Sequence, residues 1–214
     1  MQLSTPRLLI RPHRADDWPA LYAYVNHPEV LRYRPDGERT PHDLQAHLQH
    51  LVAVQQRQPR TSYHFALILL TEKLLIGWCG LSIKDAAGQI AELGYDLDYH
   101  HWGQGYATEA ARAVVAFGFT QLQLHRIFGE CHPANSASQR VMQKIGLSYE
   151  GTLRKNVWIK GSWWDTCVYG ILEEEWPARL PTQERAQQHS TEAAQPGVAA
   201  DAASGERDRS DFDR

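Results

Sequence analysis

The stretch Tyr99-His100-His101-Trp102-Gly103-Gln104-Gly105-Tyr106-Ala107-Thr108-Glu109 constrains the chain more than any other, because a strand pattern stops there and a helical pattern starts. Upstream, Ala91-Glu92-Leu93-Gly94-Tyr95-Asp96-Leu97 alternates as a strand does. Downstream, Ala110, Ala111, Val114, Val115 and Phe117 recur at helical spacing, with Glu109, Arg112 and Thr120 on the polar side. Two glycines one residue apart let the turn take positive φ and let a ligand approach the backbone with no Cβ in the way. The helix then begins with free N–H groups and the positive end of its dipole. A phosphate or pyrophosphate suits such a place.

Two familiar phosphate loops do not fit. A dinucleotide fingerprint wants a third glycine where Thr108 stands, and a P-loop wants Gly-Lys-Ser/Thr, which is absent. The stretch resembles instead the acetyl-CoA pyrophosphate loop of the GNAT N-acetyltransferase superfamily, whose pattern is Arg/Gln-x-x-Gly-x-Gly/Ala. Gly105-Tyr106-Ala107 matches its second half. Trp102 stands at the first position, a departure shared with the RimJ/RimL-type branch, whose members read Trp-Gly-x-Gly-Tyr-Ala-Thr-Glu-Ala. The resemblance implies that backbone amides of Gly103, Gln104, Gly105, Tyr106, Ala107 and Thr108 hold the pyrophosphate of acetyl-CoA.

The chain has 214 residues, 43% of them hydrophobic, enough for one domain with a core plus extras. Lys and Arg number 22 against 25 Asp and Glu, a balance that calls for neither nucleic acid nor a membrane surface. No apolar run approaches the roughly 18 residues of a membrane span, and no signal segment opens the chain, so a cytoplasmic address is expected. Cys79, Cys131 and Cys167 are scattered, with no Cys-x-x-Cys spacing, and read as buried free thiols.

Thr5 to Arg11 reads as a first strand ending at Pro12, and it resembles the Thr-x-Arg-Leu-x-Leu-Arg opening of RimJ/RimL-type proteins. Asp16 or Asp17 is placed to cap a helix through Trp18, Leu21, Tyr22 and Val25 that breaks at Asn26-His27-Pro28. A second helix is predicted from Pro41 to about Gln56, capped by Thr40. The mixed-charge segment from Leu31 to Arg39 reads on composition as a solvated connection; the family resemblance puts it at the acceptor groove. Tyr63 to Leu70 and Leu74 to Ile83 form a hairpin, and Asp85 to Gln89 turns the chain into the strand of Glu92. Arg126 to Cys131 supplies a strand parallel to its predecessor, because a helix crosses between them.

A second constellation runs from His132 to Gly146. Asn135 is a suitable N-cap, Ala137, Val141 and Ile145 form an apolar row, Lys144 favours the C-terminal dipole, and Gly146 closes the helix. Asn-x-x-Ser with the Lys-x-Gly ending is similar to the GNAT motif whose Asn holds the pantetheine arm, which assigns that role to Asn135. Leu147 to Arg154 and Val157 to Lys160 read as strands, and the turn Gly161-Ser162 returns the chain through Trp163 to Leu172. Of Trp163 and Trp164 one should be core and the other exposed near the acceptor groove. From Pro177 onward Gln, Ala, Ser, Asp and Arg dominate, and disorder is expected.

Acyl transfer from a thioester to an amine needs a neutral amine, a held carbonyl and a proton for the leaving thiolate. Glu92 is the candidate base, on the strand leading to the glycine loop, where some GNAT enzymes use a glutamate through water. The GNAT resemblance implies that the backbone of Leu97, beside an expected β-bulge, meets the pantetheine and that its N–H polarises the thioester carbonyl. Many GNAT enzymes take the proton from a Tyr at the position of Met142; the RimJ/RimL-type resemblance substitutes Ser138. Val157 stands where some relatives place a further carboxylate. His64, His100, His101, His125 and His132 lack metal-ligand spacing, and Cys131-His132 is no oriented nucleophile pair, so no metal is expected.

The expected fold is α/β, of GNAT type, with a mixed, mostly antiparallel sheet flanked by helices. Residues 1–176 would form this domain and 177–214 a tail. The expected activity is transfer of acetyl from acetyl-CoA to a primary amine, most simply a protein N-terminal α-amine as in ribosomal-protein acetyltransferases. A small amine, amino-acid conjugate or antibiotic as acceptor, or an acyl-CoA sensor lacking catalysis, are the alternatives. Both a monomer and a homodimer fit the sequence.

Overall fold

The structure, a computed structural model, describes residues 1–176 except 86 and 88. The tail expected beyond Pro177 lies outside the described residues. The strands are β1 (Leu3–Ser4), β2 (Leu8–Pro12), β3 (Ser62–Leu69), β4 (Leu74–Ile83), β5 (Ile90–Leu97), β6 (Arg126–Cys131), β7 (Ser148–Ile159) and β8 (Ser162–Leu172). They form one sheet in the order β1-β2-β3-β4-β5-β6-β8-β7. The β5–β6 pair is parallel, as the crossing helix demands, and the other pairs are antiparallel.

The helices are α1 (Trp18–Val25), α2 (Pro28–Leu31), α3 (Pro41–Val54), α4 (Tyr106–Gln121) and α5 (Ser136–Lys144). Thr40 begins α3 with a capping box: Asp43 N–H donates to Thr40 Oγ1 at 3.2 Å, and Thr40 N–H donates back to Asp43 at 2.8 Å. Leu44, Leu48 and Leu51 then recur on one face and bury together with Leu21, Tyr24, Val25 and Val30 over one face of the sheet. The opposite face packs on α4 through Ala110, Ala111, Val114, Val115 and Phe117. At Gly118 a Cβ would stand 2.7 Å from Ile127 Cδ1 and 2.9 Å from Leu81 Cδ1, so only glycine lets this helix lie so close to the sheet.

Three local expectations are corrected. Asp17 stands at the α1 N-cap position, yet its carboxylate serves Arg11 at 2.6 and 2.9 Å and the Arg14 N–H at 2.8 Å, and makes no cap bond to α1. Burial opposes its charge, but hydrogen bonds from the Arg11 guanidinium and the Arg14 N–H hold this carboxyl well below the usual carboxylate range. The irregularity expected beside Leu97 lies one strand away: the β3–β4 register slips between Leu67 and Ile68, next to Gly77, which pairs with Leu97. The segments read as separate strands after Leu147 are one strand, β7, whose register with β8 slips twice.

Candidate active site

β5 and β6 pair only from Ile90↔Arg126 to Glu92↔Phe128 and then part. The opening belongs to a cavity of about 1070 Å³ whose walls include Leu93, Leu97, Asn135 and the glycine loop. At its mouth Gly103 and Gly105 have φ of 74° and 83°, the left-handed turn that the two glycines predict, and Gly105 is the N-cap of α4. A Cβ on Gly103 would meet nothing within 4 Å, so the face of the loop is open. The first N–H groups of α4 have no intrahelical partner and point into that opening. Trp102 Nε1–H donates to Leu97 O at 2.9 Å, and the Asp98 carboxylate accepts from His100 N–H at 3.1 Å. These bonds lock the loop to the end of β5.

Arg7, read in the sequence as part of a first strand, lies in the bend between β1 and β2 and meets the glycine loop. Its Nε donates to Glu109 at 2.6 Å and its Nη1 to Gln104 O at 3.0 Å, and its guanidinium lies 4.4 Å from the Tyr106 ring centre. Thr5 Oγ1 also donates to Glu109, at 2.6 Å. An ion pair thus braces the loop beside the helix N-terminus. The brace joins residues about a hundred positions apart, which no local pattern encodes.

Across the opening, Asn135 caps α5, its Oδ1 accepting from Ser138 N–H at 3.1 Å. Ser138 Oγ lies 2.8 Å from Tyr95 Oη, and Tyr95 O–H is also 3.0 Å from the Ser138 carbonyl. Tyr95 is the second residue that sequence reading passed over, having used it only as a neighbour of Glu92. Strand alternation puts its ring on the α4–α5 face with Leu93 and Leu97, where burial raises the phenol well above its ordinary range. Met142 is buried in the core, Val157 lies in β7 opposite Trp164, and Ala137 of the expected apolar row is exposed.

The other face of β5 carries Glu92, Gly94 and Asp96. Glu92 is a third exposed and pairs with Lys84 Nζ at 2.6 Å, a setting less apolar than its strand pattern suggests. Glu130, on β6, faces the same space; burial, then the neighbouring Glu92 charge, raises its pKa. Asp96 is the more enclosed carboxylate: burial pushes it up to about 6 against the pull of Arg34, whose Nη1 lies 2.9 Å away. The segment from Leu31 to Arg39 is therefore no solvated connection. Arg34 and Arg39 share Asp36, and Arg34 ties the segment to the sheet.

Neither tryptophan of the β7–β8 hairpin is core. Trp163 is exposed and stacks edge-on with Trp158, and half-buried Trp164 meets the His132 ring at 4.7 Å. All three cysteines are free; Cys131 is half-buried, and burial pushes its thiol up to about 11, away from a nucleophilic thiolate. Among the described residues no group of three or more His, Cys, Asp or Glu is placed to hold a metal ion, and no helix is long and apolar enough to cross a membrane.

A parted parallel pair with a glycine-started helix at its mouth is where comparison with known proteins becomes informative. Residues 7–148 match the acetyltransferase (GNAT) domain family. The uncharacterized N-acetyltransferase YnaD of Bacillus subtilis (strain 168) is 38% identical over 176 residues, covering 82% of this chain and 99% of that protein. The crystal structure of a GNAT-family acetyltransferase from Bacillus anthracis superposes with a TM-score of 0.73 at 34% identity, over 82% of this chain and 100% of that one. RimL, the ribosomal L7/L12 α-N-protein acetyltransferase solved in complex with coenzyme A, shares the fold at a TM-score of 0.71 and 18% identity, over 80% and 98% of the two chains. With the fold, the loop and the sequence all in agreement, the chain belongs to the GNAT acetyltransferase family and is an N-acetyltransferase.

Proposed function

We propose that the protein moves acetyl from acetyl-CoA directly to the α-amine of a protein N-terminus. The observation that carries this reading is the parting of β5 from β6 between an anion-binding helix start and a carboxylate-bearing strand face. Amides from Gly103 to Thr108 hold the pyrophosphate, with Arg7 beside them. Asn135 and the backbone of Leu97 hold the pantetheine, and the Leu97 N–H polarises the thioester carbonyl. Ser138, hydrogen-bonded to Tyr95, gives a proton to the departing thiolate. Glu92 takes the amine's proton through water; it stands five residues before Leu97, about 16 Å along an extended strand, too far for direct contact. An α-amine with a pKa of about 8 asks less of that base than a lysine of about 10.4. The RimL name supports a protein acceptor and coenzyme A as the carrier.

The test is acetyl-CoA thermal stabilisation followed by thiol release against N-terminal peptides, lysine peptides and small amines. Stabilisation with release on N-terminal peptides is the expected outcome. Release only on small amines would move the acceptor class. Stabilisation without release on any amine would contradict the proposed transfer, and no stabilisation would remove the cofactor site.

A further inference from the structure

Arg34 divides its guanidinium between two carboxylates from distant parts of the chain. Its Nε and Nη2 donate to Asp36 at 3.1 and 2.8 Å, and its Nη1 donates to Asp96 on β5 at 2.9 Å. Asp36 also accepts from Arg39 Nε at 2.7 Å, and Asn26 holds the Arg39 backbone by both its N–H and its carbonyl, each at 2.8 Å. The same segment reaches across the cavity. Tyr33 O–H donates to Ala134 O at 3.1 Å, one residue before Asn135, and Lys160 Nζ donates to Leu31 O at 2.6 Å. Residues 31–36 therefore strap the cavity beside the parted strands, and the Arg34–Asp96 pair fastens the strap to β5.

Beneath the strap, Tyr24 is 2% exposed, and its hydroxyl has no hydrogen-bond partner among the described residues. Tyr24 and Asp96 line the same cavity, and the charges of Asp96 and Arg34 both act on the phenol. A buried hydroxyl without a partner is costly enough to require an explanation, and a ligand group that donates to it supplies one.

We propose that the Asp96 carboxylate and the Tyr24 hydroxyl form the subsite that receives the acceptor's amino nitrogen, and that Arg34 occupies Asp96 as an internal stand-in until an acceptor arrives. The chemistry matches: a primary amine or ammonium carries several N–H donors, and the subsite offers a carboxylate and a hydroxyl oxygen that both accept. The exchange is balanced on the protein side, because Arg34 keeps both bonds to Asp36 when it releases Asp96, so no buried cation is left unpaired. The position matches as well. Asp96 precedes Leu97, and strand alternation sends Asp96 to the face opposite Tyr95 and Ser138. The amine and the leaving thiolate are thus served from the two faces of one strand. Glu92, about 13 Å earlier on β5, keeps its separate duty toward the proton. This inference rests on the amine-acceptor reading above and names where that amine sits.

The test is calorimetric titration of an N-terminal peptide into the full chain loaded with CoA, which has no acetyl group to give, together with steady-state kinetics using acetyl-CoA. Asp96→Asn is expected to weaken peptide binding and raise its KM by about tenfold or more, the loss of one bond to a charged group, with acetyl-CoA affinity retained. Tyr24→Phe is expected to weaken binding about threefold without lowering Tm, because the hydroxyl has no partner to lose. Arg34→Gln should tighten peptide binding by removing the competitor, whereas Arg34→Lys keeps the competing cation and should bind as the wild type does. Unchanged peptide affinity in Asp96→Asn and Tyr24→Phe would overturn the subsite, as would an Arg34→Gln protein that binds as poorly as Asp96→Asn. If Asp96→Asn does not fold, Tyr24→Phe and Arg34→Gln decide the question between them. A wild type that acetylates small amines but not peptides sinks the N-terminal acceptor, and the same variants then read the subsite with that amine. A wild type that binds no primary amine overturns the subsite itself.

Discussion

The two faces of β5 carry different chemistry. Leu93, Tyr95 and Leu97 look toward α4 and α5, in an apolar layer where the polar partner of Tyr95 is Ser138. Glu92 and Asp96, interleaved with them, look toward the segment after α2 and meet Lys84 and Arg34. Period-two alternation is all that separates the two settings. A single strand can therefore carry cofactor chemistry on one side and acceptor chemistry on the other, provided its neighbour β6 parts from it where the two must meet.

That division is open to attack at several strengths. Glu92→Gln is expected to lower kcat by about a hundredfold, in the usual range for general-base loss, with the Kd of acetyl-CoA unchanged; loss of cofactor affinity instead would erase the distinction between the faces. Gly105→Ala should do the converse. A Cβ at φ 83° strains the loop, and the Kd of acetyl-CoA should rise by about tenfold, on the order of the 1–2 kcal/mol cost of a left-handed non-glycine residue, with the acceptor KM held. The smallest effect concerns stability. Burial lowers the pKa of His64, on β3, to about 4. An unfolded imidazole protonates near 6.5, so between about pH 6.5 and 4 the unfolded chain binds more protons and stability falls as the pH falls. Denaturant unfolding of wild type and His64→Gln across that window should show a shallower acid limb in the variant, by about 3 kcal/mol at most. An identical limb would mean that His64 is not held neutral.

The glycine loop, the strand before it and the helix after it were legible because each is set by residues close in sequence: Gly103 and Gly105 by their φ, α4 by its periodic alanines and valines. Asn135 and Gly146 likewise announced both ends of α5. The long-range pairs around β5 were not legible, for a physical reason. Arg34 finds Asp96 across 62 positions and Tyr95 finds Ser138 across 43, and a mixed-charge segment reads the same whether its charges face water or each other. Asp17 looked like a cap because its residue type suits one, but Arg11 supplied a stronger partner. The expectation that one of Trp163 and Trp164 is core assumed that the hairpin end lies over the body of the protein. Trp163 is exposed and packs with Trp158, itself exposed, and alternation has no apolar layer to sort the pair against.

The brace between the β1–β2 bend and α4 carries a consequence for folding. Thr5 and Arg7 reach Glu109 and Gln104 across about a hundred residues, so the anion loop is complete only when the chain's beginning has docked against the start of α4. Any ligand that prefers the finished loop must then draw the N-terminal strand into order by mass action, and fraying of that strand must loosen the ligand to the same degree. Hydrogen exchange at Leu8 and Ile10, two strands removed from β4 and remote from the chemistry, thereby becomes a gauge of whether the cofactor is in place.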